Sequence, residues 1–384
     1  MFIPRLLNLE VLLQKSSFFL FGPRLSGKSR LIAHQLSDAF IINLLKTSVY
    51  LELSTHPARF EQLVKSQDKK LIVIDEVQRL PWILNDVHSL IEEDGYRFLL
   101  TGSSGKKLKK AGTNLLAGRA RVAQLHPLTF HELGDRFNIE HYLNYGGLPQ
   151  IYLSDDPQEQ LYTYVDLYLR EEIQAEAFVR KLNSFLKFLE IAALTNGQIL
   201  NFSKIASDIG LPVSSVREYY FLLEDTFIGF LIPPFTDTIQ RKCLTSSKFY
   251  LFDLGVCRTL AGLKLLDPKT ENFGFAFEHF IALELRACLS YTRSYQKLFY
   301  FRSTQGDEVD FIIGNVCAIE VKAADHVKDK HLTGLQLFQK EMKVHSYFLV
   351  SFDLIDKKIG DIYCLHWTSF LKKLYSDDFI ALLR

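Results

Sequence analysis

Short apolar runs alternate with segments of helical periodicity through the first 135 residues. The runs occupy positions 18–21, 40–42, 71–74 and 98–100, and the segment 122–128 is expected to close the sheet. Strands that lack polar alternation are typical of a parallel sheet covered on both faces, and the helical segments between them supply the crossover connections. The pattern predicts an α/β domain with a parallel sheet over residues 1–135.

The spacing of apolar residues changes between positions 136 and 265. Residues 157–195 carry broad apolar stripes at helical spacing, most simply explained as core. Helices are then predicted at 185–194, 203–209 and 214–224, followed by strands at 227–231 and 248–252. Three helices before a strand pair are the element order of a winged helix-turn-helix.

The local charge leaves the role of this middle region open. Across residues 201–230 the charged side chains sum to −2, whereas a recognition helix normally brings positive charge to DNA phosphates. A contact through the wing would instead use Arg241, Lys242 and Lys248. A packing or protein-binding role fits the same pattern.

A second, smaller α/β pattern occupies residues 266–384. An amphipathic helix contains Glu278, and strands are predicted at 297–302, 308–313 and 316–322. We therefore expect three parts in the chain: a parallel-sheet domain at 1–135, a helical and winged-helix region at 136–265, and a small α/β domain at 266–384.

Composition narrows the class of protein. The chain has 384 residues, of which 48% are hydrophobic and 23% charged, as expected for two or three folded domains. A net charge of +1 gives no general attraction to nucleic acid or membranes. Five scattered cysteines without a C-x-x-C pair disfavour zinc and disulfides. With no leader pattern and no long apolar run, we expect a cytoplasmic protein without membrane association.

The first chemical motif runs from Gly22 to Ser29 and fits G-x-x-x-x-G-K-[ST]. A strand precedes it and helical spacing follows, which is the context that the motif requires. Loop N–H groups would bind phosphate oxygens, Lys28 would reach the β- and γ-phosphates, and Ser29 would ligate Mg²⁺. The motif predicts a nucleoside triphosphate site formed by Gly22, Pro23, Arg24, Leu25, Ser26, Gly27, Lys28, Ser29 and Arg30.

Two carboxylates follow the buried run at 71–74. Buried carboxylates are costly without a partner, so a strand that ends in Asp75 and Glu76 calls for a cation. We expect Asp75 to complete the Mg²⁺ coordination and Glu76 to polarise the attacking water.

Further catalytic candidates follow the next strand. Thr101 or Ser103 is placed to sense the γ-phosphate or orient the water, although such residues also end strands through turn chemistry alone. A basic stretch then runs from Lys106 to Arg121. This basic stretch is either a solvated helix face or a loop that faces the phosphates. If it is such a loop, Arg119 is the candidate arginine finger, acting in cis or on a neighbouring subunit.

The C-terminal region carries a third chemical pattern. Asp310 is followed after nine residues by Glu320-Val-Lys322, which is the spacing of a nuclease core. Carboxylates at Asp310 and Glu320, with Glu278 from the helix, would hold a metal, and Lys322 would orient the water or stabilise developing charge. The alternative is a hairpin with an exposed carboxylate face and an ordinary Glu–Lys pair.

The strand register decides between these readings. A two-residue turn at Gly314-Asn315 would pair Asp310 with Ile319 and place Asp310 and Glu320 on opposite faces. A three-residue loop, or a bulge, would place Asp310 across from Glu320. The metal-site hypothesis therefore predicts a three-residue loop or a bulge here.

Taken together, these motifs resemble a family of prokaryotic AAA-like P-loop ATPases, called ATP-binding proteins, with a C-terminal domain of unknown function that is similar to a PD-(D/E)XK restriction-endonuclease core. The matching stretches are Ile3-Pro-Arg5, Gly22–Ser29, Leu71–Pro81, Leu99–Ser104, Leu116–Arg119, His126–Leu133, Tyr145–Pro149, Lys248–Gly255, Glu308-Val-Asp310 and Glu320-Val-Lys322. The resemblance implies an AAA-like ATPase core, a winged-helix region and a nuclease-like domain. It implies no particular substrate.

The sequence thus predicts a Mg²⁺-dependent protein that binds and hydrolyses ATP and couples the ATP state to the later domains. Three classes remain open: an ATP-driven nucleic-acid enzyme with an active nuclease, an ATP-switched DNA-binding regulator, and a signalling ATPase whose C-terminal domains bind proteins. DNA or RNA, protein partners and self-assembly are all retained as interactions to test.

Overall fold

Two compact units organise the chain in the computed structural model. The structure describes residues 2–102, 116, 118–169, 182–235, 247–267, 270–303 and 305–384. The first unit extends to Leu128 and includes Asp225–Ile228, whereas the second contains most of the chain from Thr129 onward. Both later predicted domains lie in the second unit, and their separation at 265 stays a prediction.

The first unit alternates strands with helices, as the apolar runs predict. Its strands are β1 (Ser17–Phe21), β2 (Phe40–Asn43), β3 (Leu71–Asp75), β4 (Arg97–Gly102) and β5 (Ala120–Gln124). Its helices are α1 (Leu9–Lys15), α2 (Lys28–Gln35), α3 (Thr47–Thr55), α4 (Arg59–Lys65) and α5 (Ile83–Glu92), with a 3₁₀ turn at Val77–Arg79.

All five strands are parallel, in the order β2-β3-β4-β1-β5. The predicted parallel sheet is therefore confirmed. Leu20 pairs with Thr101 and Ile74 pairs with Leu100, so β1, β3 and β4 end side by side. Because parallel strands direct their carboxyl ends to one edge, the segments that follow these three strands meet there.

The sheet is stable because its faces are covered by apolar side chains. The strand residues Phe21, Ile74 and Leu100 pack in one buried cluster with helix residues that include Val87 and Leu90. Helix α5 contributes its apolar face to this cluster, since Ile83, Leu84, Val87 and Leu90 recur at helical spacing and are all buried.

The second unit begins with helices. They are α6 (Phe130–Leu133), α7 (Ile139–Tyr145), α8 (Pro149–Tyr152), α9 (Pro157–Thr163), α10 (Leu182–Leu194), α11 (Phe202–Ile209) and α12 (Val213–Asp225). A 3₁₀ turn spans Gly134–Arg136 and a π-helical segment spans Tyr164–Leu169. Strands β6 (Gly229–Ile232) and β7 (Lys248–Leu251) then pair antiparallel. The three helices and the strand pair predicted for this region are therefore present.

A mixed sheet forms the rest of the second unit. Helices α13 (Leu254–Leu260) and α14 (Glu271–Tyr291) lead to β8 (Leu298–Arg302), β9 (Glu308–Ile313), β10 (Cys317–Lys322), α15 (Thr333–Glu341), β11 (Ser346–Ser351), β12 (Lys357–Ile359), β13 (Ile362–His366), α16 (Trp367–Leu374) and α17 (Asp377–Leu383), with a 3₁₀ turn at Asp329–His331. The strand order is β12-β13-β11-β10-β9-β8, and β10, β11 and β13 run parallel. Helices and a mixed sheet confirm the broad α/β prediction for this region.

Two of the stretches that carry the family resemblance, Tyr145–Pro149 and Lys248–Gly255, contact each other inside the second unit. The buried Asp253 carboxylate accepts hydrogen bonds from the N–H groups of Gly147 at 2.8 Å and Val256 at 3.0 Å. A β-carbon at Gly146 would overlap this carboxylate, and one at Gly255 would overlap the carbonyl of Tyr145. Close backbone approach therefore explains these glycines.

Within the part of the chain that the structure describes, none of the helices has the length and apolar character needed to span a membrane.

Candidate nucleotide site and a second acidic cluster

The loop after β1 has the backbone shape that its motif predicts. A β-carbon at Gly22 would overlap the carbonyl oxygen of Leu125, and Gly27 has a φ of 95°, so both positions favour glycine. Helix α2 begins at Lys28, directly after this loop. The loop N–H groups and the positive end of α2 thus lie where the carboxyl edge of the sheet begins.

The lysine of the motif reaches back across the loop. Its Nζ atom lies 2.7 Å from the carbonyl oxygen of Gly22 and 3.1 Å from that of Pro23. Ser29 and Arg30 are exposed in the first turn of α2, and Arg24 is exposed on the loop. Of the nine predicted nucleotide-binding residues, Gly22, Pro23 and Ser26 are buried within the loop, and the nucleotide-binding role of the set stays a prediction.

An arginine outside the motif holds the loop in place. Arg5 donates to the carbonyl oxygen of Ser26 at 2.8 Å and to that of His126 at 2.5 Å. The Arg5 guanidinium thus connects the segment before α1, the loop after β1 and the segment after β5. It can do so because its N–H donors form a rigid fork. In the sequence, Ile3-Pro-Arg5 belongs to the stretches that carry the family resemblance, and no local pattern indicates the role of Arg5.

The carboxylate that follows β3 is fixed by a neighbouring strand. Asp75 is buried, and Thr101 donates its hydroxyl hydrogen to Asp75 Oδ1. The same Thr101 oxygen accepts from the backbone N–H of Glu76 at 3.2 Å. Thr101, one of two alternatives in the sequence analysis, therefore positions both predicted acidic residues.

Glu76 occupies an unusual backbone conformation. Its φ of 62° lies in the left-handed region, which costs energy for a residue other than glycine and often marks a functional position. Gln78 donates a hydrogen bond to Glu76 Oε2 and packs closely against Gly102. Gln78 was missed as a site residue, although it lies only two positions beyond the acidic pair.

The two remaining candidates in this unit have different outcomes. Ser103 lies outside the described residues, so its role stays a prediction. Arg119 immediately precedes β5, whose first residue Ala120 pairs with Ser17 at the amino end of β1. Arg119 therefore lies at the edge of the sheet opposite the phosphate loop, where its Nε atom contacts Glu92 at 2.7 Å. A role in cis is wrong for this position, because the strands separate it from the loop; the role in trans stays a prediction.

In the second unit, the register of β9 and β10 meets the condition set by the sequence. Ile313 pairs with Cys317, and Phe311 pairs with Ile319, so a three-residue loop connects the strands. Continued by one position, this register places Asp310 across from Glu320. The two carboxylates therefore lie on one face of the sheet, as the three-residue alternative predicts.

The outer part of this acidic cluster contains the predicted lysine. Lys322 Nζ lies 2.5 Å from Glu320 Oε1 and 4.0 Å from Asp310 Oδ2. Asp310 Oδ2 also accepts from the N–H of Val321 at 2.8 Å. Asp310 and Glu320 are buried, whereas the Lys322 side chain is 38% exposed. Lys322 therefore forms the solvent side of the cluster.

The inner part of the cluster contains a lysine that the sequence analysis placed elsewhere. Lys248 Nζ lies 3.1 Å from Glu278 Oε1, 2.5 Å from Glu308 Oε1 and 3.9 Å from Asp310 Oδ1. Its side chain is only 5% exposed, so the prediction that Lys248 contacts DNA phosphates from the wing is wrong. The other wing residues, Arg241 and Lys242, lie outside the described residues.

Charge and burial shift the pKa values of the ionisable groups in this cluster. Burial, reinforced by the Asp310 carboxylate, raises the pKa of Glu320 well above its usual range and also raises the pKa of Glu278. Burial alone would lower the pKa of Lys248, but the carboxylates of Glu278, Asp310 and Glu308 raise it above the ordinary value. The cluster therefore holds more carboxylate than its own cations neutralise.

The fit of the cluster to a metal ion is partial. Glu320 Oε2 is buried and has no hydrogen-bond partner, which suits a metal ligand. However, no three His, Cys, Asp or Glu side chains converge as metal ligands within the part of the chain that the structure describes. Mg²⁺ is commonly bound by one or two carboxylates together with waters. Asp310 and Glu320 therefore fit such an ion, whereas Glu278 does not join them.

Comparison with known families divides the chain into three matched regions. Residues 14–134 match a model described as an AAA domain. Residues 136–267 match a domain of unknown function (DUF8612), and residues 273–370 match another (DUF4143). The AAA match supports a P-loop AAA-like ATPase, in agreement with the parallel sheet and its phosphate loop.

The similar curated proteins are themselves uncharacterized. One from Mycobacterium tuberculosis is 24% identical over 66% of this chain, which spans 58% of that protein's length. One from Haemophilus influenzae is 25% identical, with 69% of this chain and 72% of the relative covered. One from Methanocaldococcus jannaschii is 24% identical, with 77% and 71% covered. The similarity to these relatives therefore supplies no substrate.

Proposed function

We propose that this protein is a Mg²⁺-dependent ATPase that couples its nucleotide state to the acidic cluster of the second unit. The observation that carries the proposal is the meeting of the phosphate loop with Asp75 and Glu76 at one edge of a parallel sheet. Thr101 fixes this acidic pair through two hydrogen bonds. Such an edge is the usual ligand site of an α/β sheet.

Each residue has a defined role in this proposal. The loop amides and Lys28 would bind the phosphates, while Ser29 and Asp75 would hold Mg²⁺. Glu76, whose backbone N–H is anchored to Thr101, would orient and deprotonate the attacking water. Bound Mg²⁺ would supply charge neutralisation at the β- and γ-phosphates.

The test separates binding from turnover. Lys28→Ala should weaken both ATP binding and phosphate release, whereas Glu76→Gln should retain ATP binding and lose turnover by about 100-fold or more. Lys65→Ala, a change of the same kind on the exposed end of α4, is the control. Wild-type turnover in Glu76→Gln would remove the assigned role of that residue.

We further propose that the second unit acts on nucleic acid or is regulated by it. The support is the shared face of Asp310, Glu320 and Lys322, which is the arrangement required for metal-assisted hydrolysis of a phosphodiester. Supercoiled, linear and single-stranded DNA would be incubated with ATP and Mg²⁺ or Mn²⁺. Cleavage by the wild type and not by Asp310→Ala would support an active nuclease, and turnover without cleavage would count against it.

A specific observation favours the alternative of a protein-binding signalling ATPase. The exposed residues of α12 include Arg217, Glu218, Phe221 and Glu224, so this surface combines excess negative charge with an aromatic ring. DNA phosphates would be repelled from such a surface, whereas a protein partner would not. DNA binding at low salt that is lost in Arg217→Glu would oppose this alternative; indifference to DNA together with ATP-dependent assembly would support it.

A further inference from the structure

The acidic cluster of the second unit is divided into an inner and an outer half. Lys248 lies in the inner half with Glu278 and Glu308, and Lys322 lies in the outer half with Glu320. Asp310 stands between them, with one oxygen toward each lysine. With all six groups ionised, the four carboxylates exceed the two ammonium groups by two negative charges.

The carboxylates of the inner half are bonded by donors of the protein. Glu278 Oε1 accepts from Lys248 at 3.1 Å and from the Tyr250 hydroxyl at 2.6 Å. Lys248 and Tyr250 are two residues apart on β7 and thus share a face. The same ammonium contacts Glu308 and faces the ring of Tyr300. Strand β7 therefore inserts a fixed cation at the back of the cluster.

The outer half has an ammonium group of its own, but one of its carboxylate oxygens has no donor. Glu320 is 5% exposed and its Oε2 atom has no partner, although a buried carboxylate oxygen normally has one. Lys322 engages only the other oxygen of Glu320 and is itself partly exposed. The unbonded oxygen of Glu320, on the same face as Asp310, is therefore the acceptor that a cation would use.

We propose that the cluster binds a single divalent cation through Asp310 and Glu320, and that Lys248 serves as a built-in second cation. Two-metal hydrolytic sites place their ions about 3.5–4 Å apart on bridging carboxylates. Here the Lys248 ammonium lies 3.1 Å from Glu278, 2.5 Å from Glu308 and 3.9 Å from Asp310, and a second ion bridged to the first through Asp310 would need these same carboxylates. Lys248 is therefore a positioning residue that limits the site to one-ion chemistry. This inference rests on the cation site in the proposed function.

The residue comes from outside the segment that contains the carboxylates. Lys248 lies in the region matched by DUF8612, whereas Glu278, Asp310 and Glu320 lie in the region matched by DUF4143. The cluster consequently depends on both regions. A movement of β7 away from the mixed sheet would remove the fixed cation. The number of divalent ions that the site binds would therefore depend on the position of β7.

The test is the stoichiometry of Mn²⁺ binding to the full chain, followed by electron paramagnetic resonance without nucleotide. All variants carry Asp75→Asn, so that the first unit does not contribute an ion. We expect about one Mn²⁺ per chain without further change and about two in Lys248→Met, with magnetic coupling between neighbouring ions. Adding Glu278→Gln to Lys248→Met should abolish the second ion, and Glu320→Gln should remove the first.

Controls separate charge from folding. Lys248→Arg keeps the charge and should keep about one ion, while Lys248→Gln provides a second neutral variant if Lys248→Met does not fold. Fluorescence of Trp367, with Trp82 replaced by Phe, reports whether the second unit is folded, because the chain has only these two tryptophans. Binding of two ions with Lys248 intact would overturn the role given to Lys248 but would leave the proposed cation site. Binding of one ion in both neutral variants, when they are folded, would have the same consequence. No Mn²⁺ with Lys248 intact would also remove the proposed cation site.

Discussion

The hydroxyl of Thr101 makes the most selective test of the nucleotide site. Thr101 is fully buried and bonds both Asp75 Oδ1 and the N–H of Glu76. Thr101→Val replaces the hydroxyl with a methyl group of similar size, so packing in β4 is retained while both hydrogen bonds are lost. Thr101→Ser is the matched control, since it keeps the hydroxyl and removes only a methyl group.

The size of the effect follows from these two bonds. A hydrogen bond to a charged group contributes about 1.5–3 kcal/mol, and a neutral one about 0.5–1.5 kcal/mol. Loss of both predicts that the first unit is destabilised by about 2–4.5 kcal/mol. Because Asp75 and Glu76 lose the group that orients them, ATP turnover should fall by about 10–100-fold, as for other residues that orient metal ligands.

Two assays measure these effects separately. Phosphate release at saturating ATP and Mg²⁺ gives the turnover rate. Denaturant unfolding followed by Trp82 fluorescence, with Trp367 replaced by Phe, reports the first unit, in which Trp82 packs against the buried core. Measuring one unit at a time is necessary because a chain of several domains does not unfold in a single step.

The pattern across the variants decides the outcome. We expect Thr101→Ser to stay close to the wild type in turnover and Thr101→Val to lose it while remaining folded at assay temperature. Equal turnover in Thr101→Val and the wild type would refute the argument that this hydroxyl orients the acidic pair. A loss of stability without a loss of turnover would restrict Thr101 to a structural role.

Three further predictions follow from particular contacts. Gly22→Ala should destabilise the first unit by about 1–3 kcal/mol and weaken ATP binding, measured by nucleotide fluorescence, because the new β-carbon overlaps a carbonyl oxygen; unchanged binding would contradict the close approach. Arg119→Ala should leave turnover unchanged at dilution, and any loss should appear only at concentrations where copies associate; an equal loss at all concentrations would contradict its place at the far edge of the sheet. Burial raises the pKa of Glu284 to about 8, so its contribution to stability is complete below the ordinary pKa of 4.5 and is lost as the pH rises through 8. The unfolding free energy of the second unit, followed by Trp367, should therefore fall more steeply over that range in the wild type than in Glu284→Gln, by up to about 1.4 kcal/mol per pH unit; parallel pH profiles would refute this.

Local pattern was sufficient for the parts of this protein that depend on neighbouring residues. The phosphate loop was predictable because the glycines, Lys28 and Ser29 act within one strand, turn and helix. The acidic pair at Asp75 could be assigned because parallel strands bring their carboxyl ends to one edge. Even the loop between β9 and β10 could be reduced to two alternatives, since strand faces alternate with a period of two.

The contacts made across the chain could not be predicted in this way. Arg119 lies in a basic stretch that suggested an arginine finger in cis or in trans, yet the pairing of β5 with β1 places it at the edge opposite the phosphate loop. Lys248 has the spacing of an exposed wing residue, but packing of β7 against α14 and the mixed sheet buries its charge among carboxylates.

The sequence by itself determined the nucleotide motif, the main strands and the acidic residues proposed to hold a cation, because each of these depends on a short segment and its periodicity. Only the tertiary structure decided that Thr101 fixes Asp75, that Arg5 holds the loop and that Lys248 completes the acidic cluster. The reason is physical: a charge or hydroxyl acquires its role from the groups that surround it after burial, and those groups come from distant positions in the chain.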